Sequence, residues 1–154
     1  MRRDGPRSLV RAFPSWFTVS AFAGGRVAKH GNRAVSSRTG SADVLEALGA
    51  SVDLTPDEAA RMIETVGVAF LFAPAYHWTF KHAAEPRRDL GVRTVFNLLG
   101  PLTNPAAPPF GLIGAYSRDA AHLMAETLSG MPIERVFVVH GEPGWDEPTP
   151  CGPF

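Results

Sequence analysis

Nine consecutive residues, Lys29-His30-Gly31-Asn32-Arg33-Ala34-Val35-Ser36-Ser37, carry two cations, an imidazole, a carboxamide and two hydroxyls, with no carboxylate among them. This is an inventory of hydrogen-bond donors suited to an anion. An arginine offers a planar fork for phosphate oxygens, and a lysine offers a mobile point charge. Serines beside backbone N–H groups complete a concave nest. A solvated basic loop has the same composition, so the residues alone leave both readings open.

Other groups invite chemistry further along. Asp146 and Glu147 are adjacent carboxylates in an acidic stretch after a strand-like run, and such a pair either holds a divalent cation or is merely solvated. Arg87 and Arg88 on a predicted helix read, by composition, as surface charge. His30, His77, His82 and His140 have the wrong spacing for a local zinc motif. Cys151 is the single cysteine, which excludes a cysteine-based zinc site and an intrachain disulfide and makes a reducing, cytoplasmic compartment the expectation. Phe70 and Phe72 read as core, and Asn97 as a residue serving its local backbone.

The elements that must position these groups alternate between strand and helix. Val27 and Ala28 end a strand just before the donor-rich run. Ser41-Ala42-Asp43 starts a helix over 41–48 that Gly49 stops. Thr55-Pro56-Asp57-Glu58 is a helix N-terminus, with a capping hydroxyl, a proline at the first position and acids facing the dipole. That helix presents Ala59, Met62, Ile63 and Val66 on one face and stops at Gly67. Val68 to Phe72 is a continuous apolar run, as expected of a strand covered on both faces. A loop holding Pro74, Tyr76, His77 and Trp78 follows, then a helix over 80–90 interrupted near Pro86. A helix over 94–99 is expected to break at Gly100-Pro101. Strands over 110–115 and 136–140 flank a helix over 118–128. The alternation predicts an α/β fold with a parallel sheet, and a polar loop at the carboxyl edge of such a sheet is a usual place for phosphorylated ligands.

Hydrophobic residues make up 45% of the 154 and charged residues 19%, which excludes a disordered chain. Charge is balanced overall but unevenly spread: residues 1–38 hold eight Lys/Arg against one acid, and residues 39–154 hold seven against fourteen. The basic front suits an anionic ligand and the acidic remainder a cation. No segment reaches the ~18–20 apolar residues of a membrane span. Residues 1–17 superficially look like a targeting peptide, but their apolar run is short and Pro14 interrupts it.

The run KHGNRAVSSRTGSADVLEALG resembles the signature loop of the anthranilate phosphoribosyltransferases. GVRTVFNLLGPLTNPA, residues 91–106, resembles a second signature of that family, and VVHGEPGWDE, residues 138–147, resembles its metal-binding acidic pair. The three fall in the family's order and at its spacings. The resemblance implies an incomplete parallel-sheet phosphoribosyltransferase / nucleoside-phosphorylase-like large domain with helices on both faces. It implies transfer of phosphoribosyl from phosphoribosyl pyrophosphate to anthranilate in tryptophan biosynthesis, with Mg2+ as cofactor and no role for a membrane or nucleic acid. By the same resemblance Lys29, His30, Gly31, Asn32, Arg33, Ala34, Val35, Ser36, Ser37 and Ser41 hold phosphoribosyl pyrophosphate. Asn32 and Arg87 meet anthranilate, Arg87 at its carboxylate, and Asp146 and Glu147 hold the metal. Tyr76-His77-Trp78 departs from the family's usual His-Pro at that loop.

The resemblance covers 18–154 as a partial α/β domain and leaves 1–17 as an atypical start. Thr18 to Ala23 resembles the helix after the family's Asn-x-Ser-Thr motif, of which only Thr18 remains, with Ser15 and Phe17 at the Asn and Ser positions. The Gly-Thr-Gly-Gly-Asp loop, the amino-terminal helical domain used by family homodimers and the carboxyl-terminal part of the large domain do not occur in the sequence. The expectation is therefore a chain without turnover of its own. Two alternatives stand beside it: a truncated or frame-shifted fragment, and a non-catalytic phosphoribosyltransferase-like protein that binds nucleic acid through the basic front.

Overall fold

The computed structural model describes residues 24–33, 39–92, 94–142, 144–148 and 152. Residues 1–17, with the atypical start, and Thr18 lie outside them. The chain gathers into two compact units, Met1–Gly91 and Val92–Phe154. Each is an α/β arrangement of parallel strands and helices, as the alternation of the sequence predicts.

In the first unit, strand β1 (Val27–Gly31) pairs in parallel with β2 (Val68–Phe72), Val27 opposite Val68 and Gly31 opposite Phe72. Helix α1 (Ser41–Ala47) and helix α2 (Pro56–Thr65) lie in the crossover between them. Successive strand side chains point to opposite faces, and β2 uses both. Phe70 and Phe72 pack with Ala42 and Leu45 of α1 and with Val52. Ala69 and Leu71 pack with Ala59, Met62 and Ile63 of α2, with Ala28 and with Leu54. This two-sided cover is why the run VAFLF is apolar throughout.

Helix α2 starts as its sequence predicts. The Glu58 N–H donates to Thr55 Oγ1 at 3.3 Å, and the Thr55 N–H donates to Glu58 Oε2 at 2.8 Å, with Pro56 at the first helical position. The Thr55 N–H and, after it, the Thr55 hydroxyl at 2.7 Å donate to the Glu58 carboxylate and hold it below its ordinary pKa, so their contribution is present above the ordinary carboxylate range and is lost as pH falls through the lowered value. Gly67, at φ +84°, turns the chain from α2 into β2 in a conformation that a side chain rarely adopts. Thr55→Ala is expected to cost about 1 kcal/mol, read as a fall of about 2–4 °C in Tm. An unchanged Tm would show that the cap contributes nothing.

Beyond β2 come a helical turn α3 (Ala73–Tyr76), a 3-10 turn (Trp78–Phe80) and helix α4 (Lys81–Leu90). Three expectations are corrected here. The segment with Pro74 and Tyr76 is helical rather than loop, because Pro74 sits in the first turn, where a missing N–H costs nothing. Pro86 does not interrupt α4; it is exposed, as is His82 one turn earlier, so water can replace the lost bond. Strand β1 runs on through Lys29, His30 and Gly31 instead of ending at Ala28, since the backbone pairing with Phe70, Leu71 and Phe72 continues.

In the second unit, α5 (Val95–Leu102) is followed by β3 (Phe110–Gly114), α6 (Arg118–Ser129) and β4 (Arg135–Val139), with β3 and β4 parallel and Phe110 opposite Arg135. Ala115, Ala120 and Met124 form its core with Leu98, Leu102, Ile113 and Val138. Asn97 serves its backbone as expected, its Oδ1 accepting from the Thr94 N–H at 2.8 Å. Helix α5 passes through Gly100-Pro101 where a break was expected. The Thr103 hydroxyl lies 3.1 Å from the Leu99 carbonyl and 3.3 Å from that of Gly100, which satisfies the last turn. Among the described residues no helix is long and apolar enough to cross a membrane.

Candidate functional site

In the first unit the donor-rich run begins at the carboxyl end of β1. Lys29, His30 and Gly31 are half-buried strand residues, and Asn32 and Arg33 emerge exposed beyond them. Asn32 Oδ1 accepts from the N–H of the next residue, Arg33, at 2.8 Å. Arg33 is gripped on two sides. Its Nε and Nη2 donate to Glu46 Oε2 and Oε1 of α1 at 3.2 and 2.6 Å. Its guanidinium lies 4.4 Å from the centre of the Phe72 ring, and Asp53 stands 3.8 Å away. The hydrogen bond to Glu46, with the charges of the nearby acids, holds Arg33 above its already high ordinary pKa. Such exposed ion pairs add little stability. What they fix is direction: Nε and Nη2 are engaged, and Nη1 has no partner among the described residues.

Gly31 and Ser41 close the neck of this loop. A Cβ on Gly31 would lie 3.1 Å from Ser41 Oγ and 3.0 Å from Phe70 Cζ, so a side chain there would make these neighbours give by a few tenths of an ångström, and glycine lets the strand end pass this near the head of α1 without it. The helix start is tied by the Gly40 N–H donating to Asp43 Oδ2 at 2.7 Å. Ala34, Val35, Ser36 and Ser37, the middle of the predicted anion loop, lie outside the described residues. Their ends, Arg33 and Thr39, do not.

His30 meets His77 edge to face, ring centres 5.0 Å apart at 76°. Beside His77, the hydroxyl of Tyr76 is buried with no hydrogen-bond partner among the described residues, and burial raises its pKa. Arg87 belongs to α4, but its side chain is outside the described part.

In the second unit the predicted acidic pair follows a tight reversal. The Gly141 N–H donates to the Trp145 carbonyl at 2.7 Å, the Trp145 N–H returns to Gly141 at 2.7 Å, and Gly144 turns at φ +106°. His140 Nδ1 lies 2.9 Å from the Ala115 carbonyl oxygen, which can only accept, so Nδ1 carries the proton. Arg118 of α6 forms an ion pair with Glu142. Asp146 is exposed and Glu147 half-buried. Among the described residues no group of three or more His, Cys, Asp or Glu gathers as a metal site, so this stretch offers at most two adjacent carboxylates, a number that Mg2+ can use when phosphate oxygens and water complete its shell. Beneath them the backbone of Asp146 lies directly on Gly114.

Sequence reasoning missed three residues. Glu46 and Phe72 hold Arg33 from positions with no local pattern linking them to it. Gly114 did carry a signal, because a glycine inside a strand marks close backbone approach.

Residues 14–153 match the family described as glycosyl transferase family, a/b domain. The chain is 58% identical over 150 residues to the anthranilate phosphoribosyltransferase of Moorella thermoacetica, covering 97% of this chain and 44% of that protein. It is 57% identical over 129 residues to that of Thioalkalivibrio sulfidiphilus, covering 84% and 38%. Among solved structures, the anthranilate phosphoribosyltransferase of Thermus thermophilus superposes with a TM-score of 0.73 at 45% identity, covering 91% of this chain and 40% of that one. That of Saccharomyces cerevisiae, in complex with PRPP and Mg, gives 0.78 at 28% identity, covering 89% and 40%. The chain thus spans less than half the length of these relatives.

Proposed function

The chain belongs to the glycosyl transferase family through its a/b domain, and from that membership we propose that it serves phosphoribosyl transfer from phosphoribosyl pyrophosphate to anthranilate. In this reading the first unit holds the donor's phosphates with Lys29, the Nη1 edge of Arg33, Ser41 and the intervening loop of Ala34, Val35, Ser36 and Ser37. His30, Gly31 and Asn32 form the strand end beneath, with Asn32 also reaching anthranilate and Arg87 taking its carboxylate. Asp146 and Glu147 hold Mg2+, which when bound neutralises charge on pyrophosphate oxygens. The sugar carbon becomes cation-like as pyrophosphate leaves, so the residues have to position two substrates and stabilise growing negative charge rather than supply a nucleophile.

The observation that carries this reading is the closed neck at Gly31 and Ser41. The end of β1 lies beside the head of α1, and two residues on, the fork of Arg33 is held by Glu46 of the same helix. A solvated basic loop needs neither the close approach nor the grip.

Calorimetry with phosphoribosyl pyrophosphate and Mg2+ tests it. Losing one charged hydrogen-bonding partner costs about 1.5–3 kcal/mol, so Lys29→Ala is expected to weaken donor binding about 10- to 150-fold. Equal binding by the variant, or no uptake by the parent chain, would overturn the assignment of the loop.

A further inference from the structure

We propose that Gly114, at the end of β3, is a positioning residue that sets the height of the acidic loop and so its grip on a divalent cation. The inference rests on the reading of Asp146 and Glu147 as cation ligands, and adds a residue from a different element to that site.

A Cβ built on Gly114 would lie 1.7 Å from the Asp146 carbonyl oxygen, 2.7 Å from its carbonyl carbon and 3.1 Å from its Cβ. Real Cβ atoms essentially never come within 3.0 Å of such neighbours. The obstacle is main chain, not the tip of a flexible side chain, so a methyl group at 114 must lift the Asp146 peptide by roughly an ångström or more; a misplacement of that size is enough to spoil a preorganised site. Backbone conformation is not what demands glycine here, because Gly114 is absent from the glycines with positive φ. Close approach is the whole reason.

The rest of the loop has little freedom to absorb the shift. The Gly141–Trp145 bridge fixes the reversal immediately before Asp146. The same reversal is tied at its start, where Arg118 pairs with Glu142 and His140 is hydrogen-bonded to the carbonyl of Ala115, next to Gly114 itself. A lifted Asp146 therefore moves against this pinned reversal instead of carrying it along as a body. Gly111, on the same strand, provides a matched control. A Cβ there would meet only side chains, Val136 Cγ2 at 3.2 Å being the nearest, and no atom of the acidic loop.

The test measures Mn2+ binding in the presence of pyrophosphate, by the electron paramagnetic resonance signal of free Mn2+, on the parent chain, Gly114→Ala, Gly111→Ala and Asp146→Ala/Glu147→Ala. Gly114→Ala is expected to raise the Mn2+ dissociation constant about tenfold or more, while Gly111→Ala changes stability and leaves that constant alone. If Gly114→Ala does not fold unaided, the titration is made in a stabilising osmolyte that restores its circular dichroism, with all four chains under the same conditions. An unchanged constant for Gly114→Ala, or an equal change for Gly111→Ala, overturns the positioning role alone. Failure of the parent chain to bind Mn2+, or binding indifferent to Asp146→Ala/Glu147→Ala, overturns the cation reading and the positioning role with it.

Discussion

Phe70→Ala is expected to destabilise the first unit by about 3–5 kcal/mol, the usual range for deleting a buried ring. Phe70 is 4% exposed and packs with Ala42, Val52 and Phe72, so the cavity left behind is bounded by a strand on one side and α1 on the other. Neither can collapse into the gap without giving up the β1–β2 register or the seat of α1. The same ring is the nearest neighbour of Gly31, so the gap opens directly beneath the neck of the anion loop. Native-state hydrogen exchange at the amides of β2 reads the loss locally. A change below about 1 kcal/mol would mean that the ring is not the floor of this unit.

Met124→Ala is expected to cost the second unit about 2–5 kcal/mol. Met124 is 2% exposed, packs with Ala115 and Ala120 and is surrounded by Leu98, Leu102, Ile113 and Val138. Ala115 is the residue whose carbonyl receives His140, so the side chain under it also supports the approach to the acidic pair. Met124→Leu conserves volume and is expected to cost less than about 1.5 kcal/mol. Hydrogen exchange along β3 and β4 distinguishes the two variants; equal protection in both would show that the site collapses around the smaller side chain.

What the sequence disclosed, and what it withheld, follows from the range of the interactions concerned. The VAFLF run predicts a strand covered on both faces because periodicity is written in adjacent residues, and Ala69, Phe70, Leu71 and Phe72 are all buried. The Thr55 to Glu58 cap is equally local. Pro86 and Pro101 misled because proline imposes a penalty rather than a veto, and both are exposed in helices that continue past them. The grip of Glu46 on Arg33 spans a loop and a helix face, and its geometry depends on where α1 lies against β2. No spacing rule encodes that. The acidic pair was visible as chemistry, whereas the glycine beneath it was visible only as an irregularity in a strand.

The parallel registers carry a consequence for how the chain reaches this structure. Val27 finds Val68, and Phe110 finds Arg135, only after a helix-bearing crossover has been drawn in, so neither pair can begin as a hairpin. Loop-closure entropy must be met before the first ladder bond offsets it, which puts both of these pairings on the slow side of folding. Until closure, VAFLF and RVFVV stand as short, apolar, β-prone windows with open edges, the pattern that recruits other chains. The hazard for this protein during synthesis is therefore governed by the waiting time for two crossovers, a kinetic quantity that tighter packing in the finished cores does not shorten unless it already operates in the transition state.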